Sequence, residues 1–280
     1  MFDRRMRNAE IFQDTEYLYK TNKTLSDAVK SSIGKQKLIL EETKIGVKED
    51  NRREGKVVVS GKRTLEASES YVKQGNKVCI LNFASATNPG GGVVHGSSAQ
   101  EESICRCSTL YPCLSVKEMW QQFYLPHRAA DNPLYNDDCI YTPNVVVFKS
   151  DTDYPTLLNE SEWWKVDVIT CAAPNLRNFP SNMMNPGGGR KRADISYEEL
   201  RKLLKQRIQR IFEVAINSNA EVLILGAFGC GAFRNPPKLV AEVFVEYTEK
   251  YRECFEVIEY AVFHVEREKV NYEAFKELLR

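Results

Sequence analysis

Three consecutive glycines, Gly90, Gly91 and Gly92, are followed after a seven-residue spacer by Gln100, Glu101 and Glu102. Adjacent carboxyls near backbone that lacks Cβ atoms have a chemical use. Glycine lets peptide N–H groups approach a ligand and take positive φ, and a carboxyl in a cleft can give or receive a proton. Each half also has a plainer reading. A glycine triplet is a tight surface turn, and acidic residues in the first turn of a helix complement its dipole. The dipole explains one Glu but not the whole string. Ser97 or Ser98 is expected to cap the helix, with Gln100 to Glu102 in or near its first turn. Neighbouring helical residues project about 100° apart, so Glu101 and Glu102 should not face one another and must have different duties.

A second loop offers different chemistry. In GAFGCGAFRNPP, Gly226, Gly229 and Gly231 alternate with larger residues after the apolar run EVLIL, and Pro236 and Pro237 stand where a helix would begin. A strand, a glycine turn and a helix N-terminus together suit a diphosphate held by backbone donors. A ligand-free turn remains the alternative. Cys230 invites a nucleophile reading, but a small side chain suffices there and no histidine is adjacent in sequence. The pentapeptide Asn-Pro-Gly-Gly-Gly also occurs twice, from Asn88 to Gly92 and from Asn185 to Gly189. The second copy runs into Arg190, Lys191 and Arg192 with no carboxyl pair behind it. It reads as a solvated connector in preference to a cover that attracts phosphates. His95, inside the spacer, reads as a solvent-facing loop residue, and Trp163 and Trp164 as packing.

These loops need elements to hold them. The runs KVCILNFAS, NVVVFKS, VDVITCAAP, EVLILGAF and EVIEYAVFHV are continuous in apolar residues, as suits strands covered on both faces, and VVVS adds a short one. Helical stretches separate several of them: EESICRCSTLYPCL, SYEELRKLLKQRIQRIFEVAINS and PPKLVAEVFVEYTEKYRECF. The second carries a core-facing stripe of Leu200, Leu203, Leu204, Ile208, Ile211 and Phe212. The first forty residues read as helical and polar, with Ser26 as N-cap of a helix running through KLILEE. The expected fold is an α/β three-layer α/β/α sandwich with a mixed, largely parallel sheet and an N-terminal helical extension. No repeat and no persuasive linker divides the chain.

Composition bounds the rest. A chain of 280 residues can bury both a core and a deep cleft. Lys and Arg number 39 against 38 Asp and Glu, so there is no global pull toward duplex nucleic acid or an anionic membrane, and an anionic ligand must be held locally. No apolar stretch is long enough for a membrane span, and the start lacks the apolar core of a signal peptide, so an intracellular protein, cytoplasmic or nuclear, is expected. The eight cysteines are scattered and read as free thiols. Cys105, Cys107 and Cys113 with His127 lack the spacing of a zinc site, so no metal is expected.

The glycine triplet, seven-residue spacer and QEE resemble the signature of poly(ADP-ribose) glycohydrolases. The longer segment NFASATNPGGGVVHGSSAQEESICRCSTLYPCL resembles the microbial-type branch of that family, and DVITCAAPN and LILGAFGCGAFRNPP continue the likeness over roughly residues 80 to 265. The resemblance implies a macrodomain: one catalytic domain, with about residues 1–55 as a mainly helical accessory and about 56–280 as the α/β core. It implies that Glu102 is the acid/base, that Glu101 binds ribose hydroxyls and that Gln100 shapes the loop. Asn88 is expected at the same ribose, with Asn82 or Ser85 as alternatives, and Gly90, Gly91 and Gly92 line it. Gly229, Cys230, Gly231 and Ala232 would wrap the diphosphate, and Phe233 would pack on the ribose to be released; Gly226, from the glycine-loop reading, is added as a substrate-binding candidate. The implied reaction is hydrolysis of ribose-ribose bonds in poly(ADP-ribose), mainly from chain ends, with ADP-ribose as product and no cofactor. Other readings are a non-catalytic ADP-ribose-binding macrodomain, against which the intact QEE argues, and a hydrolase of ADP-ribosylated proteins or nucleic acid. A nicotinamide dehydrogenase is disfavoured because G-x-G-x-x-G is missing after the early strand. One tension accompanies the acid/base role. A helix N-terminus lowers a carboxyl pKa, whereas lifting a Glu from about 4.3 to about 6.5 requires about 3 kcal/mol of desolvation or repulsion.

Overall fold

The computed structural model describes residues 2–47, 52–182 and 186–279. Among these residues seven strands form one sheet: β1 (Lys37–Ile39), β2 (Lys56–Ser60), β3 (Val78–Phe83), β4 (Cys139–Val147), β5 (Trp164–Cys171), β6 (Val222–Leu225) and β7 (Val257–Ala261). Their order is β1-β4-β5-β3-β6-β7-β2. From β5 to β2 every pairing is parallel, while β4 runs antiparallel to β5 and β1 antiparallel to β4. Strand β3 lies at the centre, and the period-two alternation of its side chains divides it between two cores. Val78 and Ile80 join a cluster with Leu65, Ile104 and Leu110. Cys79 and Leu81 join another with Leu204, Ile211, Leu239 and Phe244. Burial on both faces explains why these strands read as unbroken apolar runs.

Among the described residues ten helices surround the sheet: α1 (Phe2–Thr21), α2 (Lys23–Lys35), α3 (Thr64–Lys73), α4 (Gln100–Cys107), α5 (Leu110–Leu114), α6 (Lys117–Met119), α7 (Leu125–Ala130), α8 (Tyr197–Asn217), α9 (Pro237–Tyr251) and α10 (Val270–Leu278). One layer holds α3, α4 and α5; α8, α9 and α10 form the other. The three-layer α/β architecture expected from the sequence is present.

Three local expectations are corrected. Helix α2 begins after Asn22, whose side chain accepts the Leu25 amide at 3.1 Å, not after Ser26. It stops at Lys35, and KLI forms edge strand β1 against β4 because its backbone finds partners there. The helix expected over EESICRCSTLYPCL is two, α4 and α5. Their junction turns away because the Thr109 amide bonds the Val146 carbonyl at 2.9 Å and Ser108 bridges to Val147. Neither Ser97 nor Ser98 caps α4. The N-cap is Ala99, which has no side-chain cap bond. Among the described residues no helix is long and apolar enough to cross a membrane.

Candidate active site

The carboxyl ends of β3, β5, β6 and β7 open onto one cavity of about 280 Å³, lined there by Ala84, Ala173, Ala227 and Ala261. This is where a parallel sheet places its ligands, because the loops diverge and their amides face outward. The start of α4 contributes Ala99 and Gln100, and the loop after β6 contributes Gly229 to Phe233 except Cys230. Arg63, Asp151 and Phe263 were not singled out in the sequence and also line it.

Gln100, Glu101 and Glu102 point three ways. Gln100 is tied to the end of the central strand: its Oε1 accepts the Phe83 amide at 2.9 Å and its Nε2 donates to the Leu81 carbonyl at 2.7 Å and to Thr64 Oγ1 at 3.0 Å. It fixes the first turn of α4 to β3. Glu101 is 3% exposed. Its Oε2 accepts the Ser85 amide at 2.7 Å, and its Oε1 accepts Asn82 Nδ2 at 3.3 Å, which also bonds Thr170 Oγ1 at 3.2 Å. Asn82 carried a visible signal, since it is the one polar residue in VCILNF.

Glu102 is 8% exposed. Its Oε1 accepts the Gly92 amide at 2.9 Å, and its Oε2 is buried with no hydrogen-bond partner among the described residues. Gly91 explains why the triplet must be glycine. With φ at +59°, a Cβ there would stand 2.6 Å from Glu102 Oε1 and 3.0 Å from Glu101 Oε2. The two carboxyls therefore converge on one glycine, although each keeps its own donors. The triplet was expected to offer its amides to a ligand, but the Gly92 amide serves Glu102, and that of Gly91 bonds the Asn88 carbonyl at 3.0 Å. At Gly90, φ is +65° and a Cβ would meet Tyr111 Cδ2 at 2.7 Å.

Burial decides the electrostatics. It pushes Glu102 above the ordinary carboxylate range against the opposing pull of the Gly92 amide and of Arg106. Burial raises Glu101 well above that range, and the neighbouring Glu102 carboxylate adds to the rise. Desolvation outweighs the helix dipole because both carboxyls lie inside the protein, where the charged form loses its water.

The other expected residues fall into distinct places. The amides of Gly231, Ala232 and Phe233 make no hydrogen bond among the described residues, so three successive donors are available beside the cavity. Gly231 has open space where a Cβ would be. Gly229 has φ at +71° and lies against Ala173, with Asn235 Nδ2 2.5 Å from its Cβ position. Asn235 in turn bonds the Pro174 carbonyl at 2.7 Å and the Gly229 carbonyl at 3.1 Å, which holds the turn. Gly226 sits beneath the Ala261 carbonyl, 2.7 Å from its Cβ position, as a packing residue of the sheet. Burial pushes the Cys230 thiol up to about 12, which removes the thiolate a nucleophile needs. The Phe233 ring lies 6.1 Å from Tyr135 and packs with Ala86 and Ala172. Arg207, 1% exposed on α8, supports this wall by bonding Asp137 and the Leu134 and Ala172 carbonyls. An arginine within an amphipathic helix gave no sequence signal for that role.

Asn88 is tied to helix α7. Its Oδ1 accepts the Arg128 guanidinium, whose Nε donates to the Thr87 carbonyl at 2.7 Å. In the second pentapeptide Asn185 lies outside the described residues. Gly187 packs against Arg128 and Gly189 against Pro133, while Arg190 pairs with Asp131 at 2.5 Å. His95 is exposed, Trp164 is buried with Nε1 on Ser68 Oγ at 3.1 Å, and both His127 ring nitrogens are occupied, by the Phe123 carbonyl and by Asn136. Among the described residues no group of three or more His, Cys, Asp or Glu is arranged to hold a metal ion.

The family model described as "Microbial-type PARG, catalytic domain" matches residues 7–150. A search of curated proteins returns no match. Among solved structures, poly(ADP-ribose) glycohydrolase (PARG) from Thermomonospora curvata is similar with a TM-score of 0.82 and 28% identity, over 98% of this chain and 99% of that one. The same protein bound to the inhibitor ADP-HPD gives 0.79 at 28% identity with the same coverage. PARG from Deinococcus radiodurans in complex with ADP-ribose gives 0.72 at 28% identity, over 90% of this chain and 96% of that one.

Proposed function

The chain belongs to the microbial-type PARG catalytic-domain family and is a poly(ADP-ribose) glycohydrolase, and from that premise we propose that Glu102 is its general acid and base, acting on the terminal ribose-ribose bond of the polymer. The observation that carries this reading is the asymmetry of the Glu102 carboxyl. Oε1 is held by the Gly92 amide, and Oε2 is buried with no hydrogen-bond partner among the described residues. A buried polar atom without a partner costs roughly 1–3 kcal/mol. A substrate oxygen that shares a proton with Oε2 relieves that cost in the bound state.

The reaction then needs one carboxyl used twice. Glu102, whose burial favours the protonated form, gives its proton to the departing ribose oxygen as the bond from the anomeric carbon breaks, which leaves an oxocarbenium-like sugar. A water oxygen bonds that carbon and returns a proton to the Glu102 carboxylate. Glu101, held by Ser85 and Asn82 on the strand side, binds ribose hydroxyls and positions the sugar. The ligand lies along the carboxyl edge of the sheet, with the diphosphate on the free amides of Gly231 to Phe233 and the N-terminal end of α9. The distal ribose lies beside Phe233, on the side toward the carboxyls, which stand behind the cavity wall and do not themselves line it. At the other end, apolar atoms of Ala261, Val262 and Phe263 suit an adenine base. The Phe233–Tyr135 wall closes the ribose end, which fits a terminal unit and favours action from chain ends.

The test is incubation of the full chain with poly(ADP-ribose), and separately with a mono-ADP-ribosylated protein, both with chelator. Release of ADP-ribose from the polymer alone is expected. Release from the mono-modified protein identifies a hydrolase of protein-linked ADP-ribose, and binding without release identifies a reader.

A further inference from the structure

Helix α1 lies outside the sheet sandwich, and one stripe of it rests on the segment that carries the carboxyls. Asn8, Phe12 and Thr15 are spaced four and three residues apart, so they share a face, and all three are buried. Asn8 Nδ2 donates to the Gly96 carbonyl at 3.2 Å. The Arg5 carbonyl occupies the space a Cβ on Gly96 would fill, which is why that position, with φ at +72°, is glycine. The Phe12 ring meets Tyr111 edge-on with centroids 4.9 Å apart, and Tyr111 is the residue that packs against Gly90. Thr15 Oγ1 donates to the Arg106 carbonyl at 2.6 Å, and Arg106 Nη1 donates to the Ser97 carbonyl at 2.5 Å.

The helix therefore braces both ends of the Gly90 to Gly96 segment and the back of α4. Gly92 lies between those ends. Its carbonyl accepts the amides of His95 at 3.0 Å and Ser97 at 3.1 Å, while its own N–H holds Glu102. We infer that α1 is a positioning element of the catalytic centre, in which Asn8 and Thr15 hold the Gly92 peptide, and through it the Glu102 carboxyl, in place. This rests on the reading of Glu102 as acid/base. Misplacement of a reacting group by about 1 Å can cost on the order of 10²-fold in rate, so a helix that never touches the substrate can govern turnover.

The experiment uses the full chain and four variants: Asn8→Ala, Thr15→Val, Thr15→Ser and Glu102→Gln. It measures kcat and KM on poly(ADP-ribose), the Kd of ADP-ribose and the thermal midpoint. Asn8→Ala is expected to lower kcat by about ten- to a hundred-fold, within the reach of misplacement, with KM and Kd changed by less than about threefold. Thr15→Val, which keeps the shape and loses the hydroxyl, is expected to lower kcat several-fold, and Thr15→Ser, which keeps the hydroxyl, to retain it. Unchanged kcat in both Asn8→Ala and Thr15→Val overturns the inference. So does an equal loss in Thr15→Ser and Thr15→Val, which marks a packing role. Should Asn8→Ala not fold, the Thr15 pair decides by the same comparison. Retained turnover in Glu102→Gln sinks the acid/base reading, whereas an inactive Glu102→Gln beside unaffected α1 variants sinks the positioning role alone.

Discussion

The pentapeptide Asn-Pro-Gly-Gly-Gly appears twice in this chain and is put to two uses. In the first copy positive φ falls at Gly90 and Gly91, and the space a Cβ would need is filled by Tyr111 at one and by the two carboxyls at the other. In the second copy positive φ falls at Gly187 and Gly189, which press against the side chain of Arg128 and the ring of Pro133. Arg128 joins the two, since its stem packs under Gly187 and its guanidinium holds Thr87 and Asn88 ahead of the first triplet. The same letters thus adopt different backbones, and what each copy does depends on what lies opposite its missing side chains. A glycine facing carboxyls shapes a proton donor, and a glycine facing an aliphatic stem lets two loops pack.

The sharpest break is at the carboxyl itself. Glu102→Gln is expected to lower poly(ADP-ribose) cleavage by about 10³-fold or more, within the range for a general acid, while calorimetry finds ADP-ribose affinity within several-fold of the parent. Retained turnover rejects the acid/base assignment and with it the distinction between the two loops. Next is Gly91→Ala set against Gly187→Ala. The first forces a Cβ onto two buried carboxylate oxygens that cannot move away, and a loss of about 10²-fold in kcat is expected, of the kind a 1 Å misplacement gives. The second meets Arg128 Cγ 2.8 Å away, remote from both carboxyls, so a loss of about 1 kcal/mol or more in stability from the left-handed backbone is expected, with kcat within about threefold. Equal losses of kcat would erase the contrast.

Acidity sharpens the same comparison. With its folded-state pKa raised by burial, Glu102 holds a proton where an exposed glutamate has lost it, so cleavage is expected to fall only as pH rises through the raised value. Stability follows the same window with a definite sign. Above the unfolded value the unfolded chain binds fewer protons than the folded one, so unfolding free energy declines as pH rises until the folded group has titrated. Glu102→Gln should flatten that decline in denaturant titrations run across the window, and an identical slope in both proteins assigns it to other groups. The smallest effect belongs to the second loop. Neutralising Lys191 and Arg192, both exposed, is expected to change polymer affinity by less than about twofold, because Arg190 is already paired with Asp131. A larger fall with a weaker salt dependence makes this loop a phosphate contact instead of a packed connector.

Much of this is legible in the sequence. The central strands read correctly because burial on both faces leaves an unbroken apolar string, and the long α8 because its stripe is amphipathic over six turns or so. The QEE string marked the carboxyls, and GAFGCGAFRNPP marked the free amides. Elements governed by one distant contact were missed. Lys37–Ile39 has no periodicity of its own and becomes a strand only because β4 offers an edge. The junction at Ser108 and Thr109 breaks a helical pattern only because β4 takes up the freed backbone. The cap of α4 failed for a similar reason: the strand-anchored Gln100 and the braced spacer hold the helix start without a serine.

By itself the sequence determined the architecture and the chemical inventory, because hydrophobic period, glycine spacing and adjacent acids are local properties of a chain. It did not determine which oxygen of Glu102 stands free, which amides the glycine triplet turns inward, or that α1 reaches across to hold Gly96. Nor did it settle whether the helix dipole or desolvation sets the acidity of the pair. Those were decided by the tertiary structure, since a carboxyl's proton affinity and a peptide's direction depend on the atoms packed around them, and most of those atoms come from residues remote along the chain.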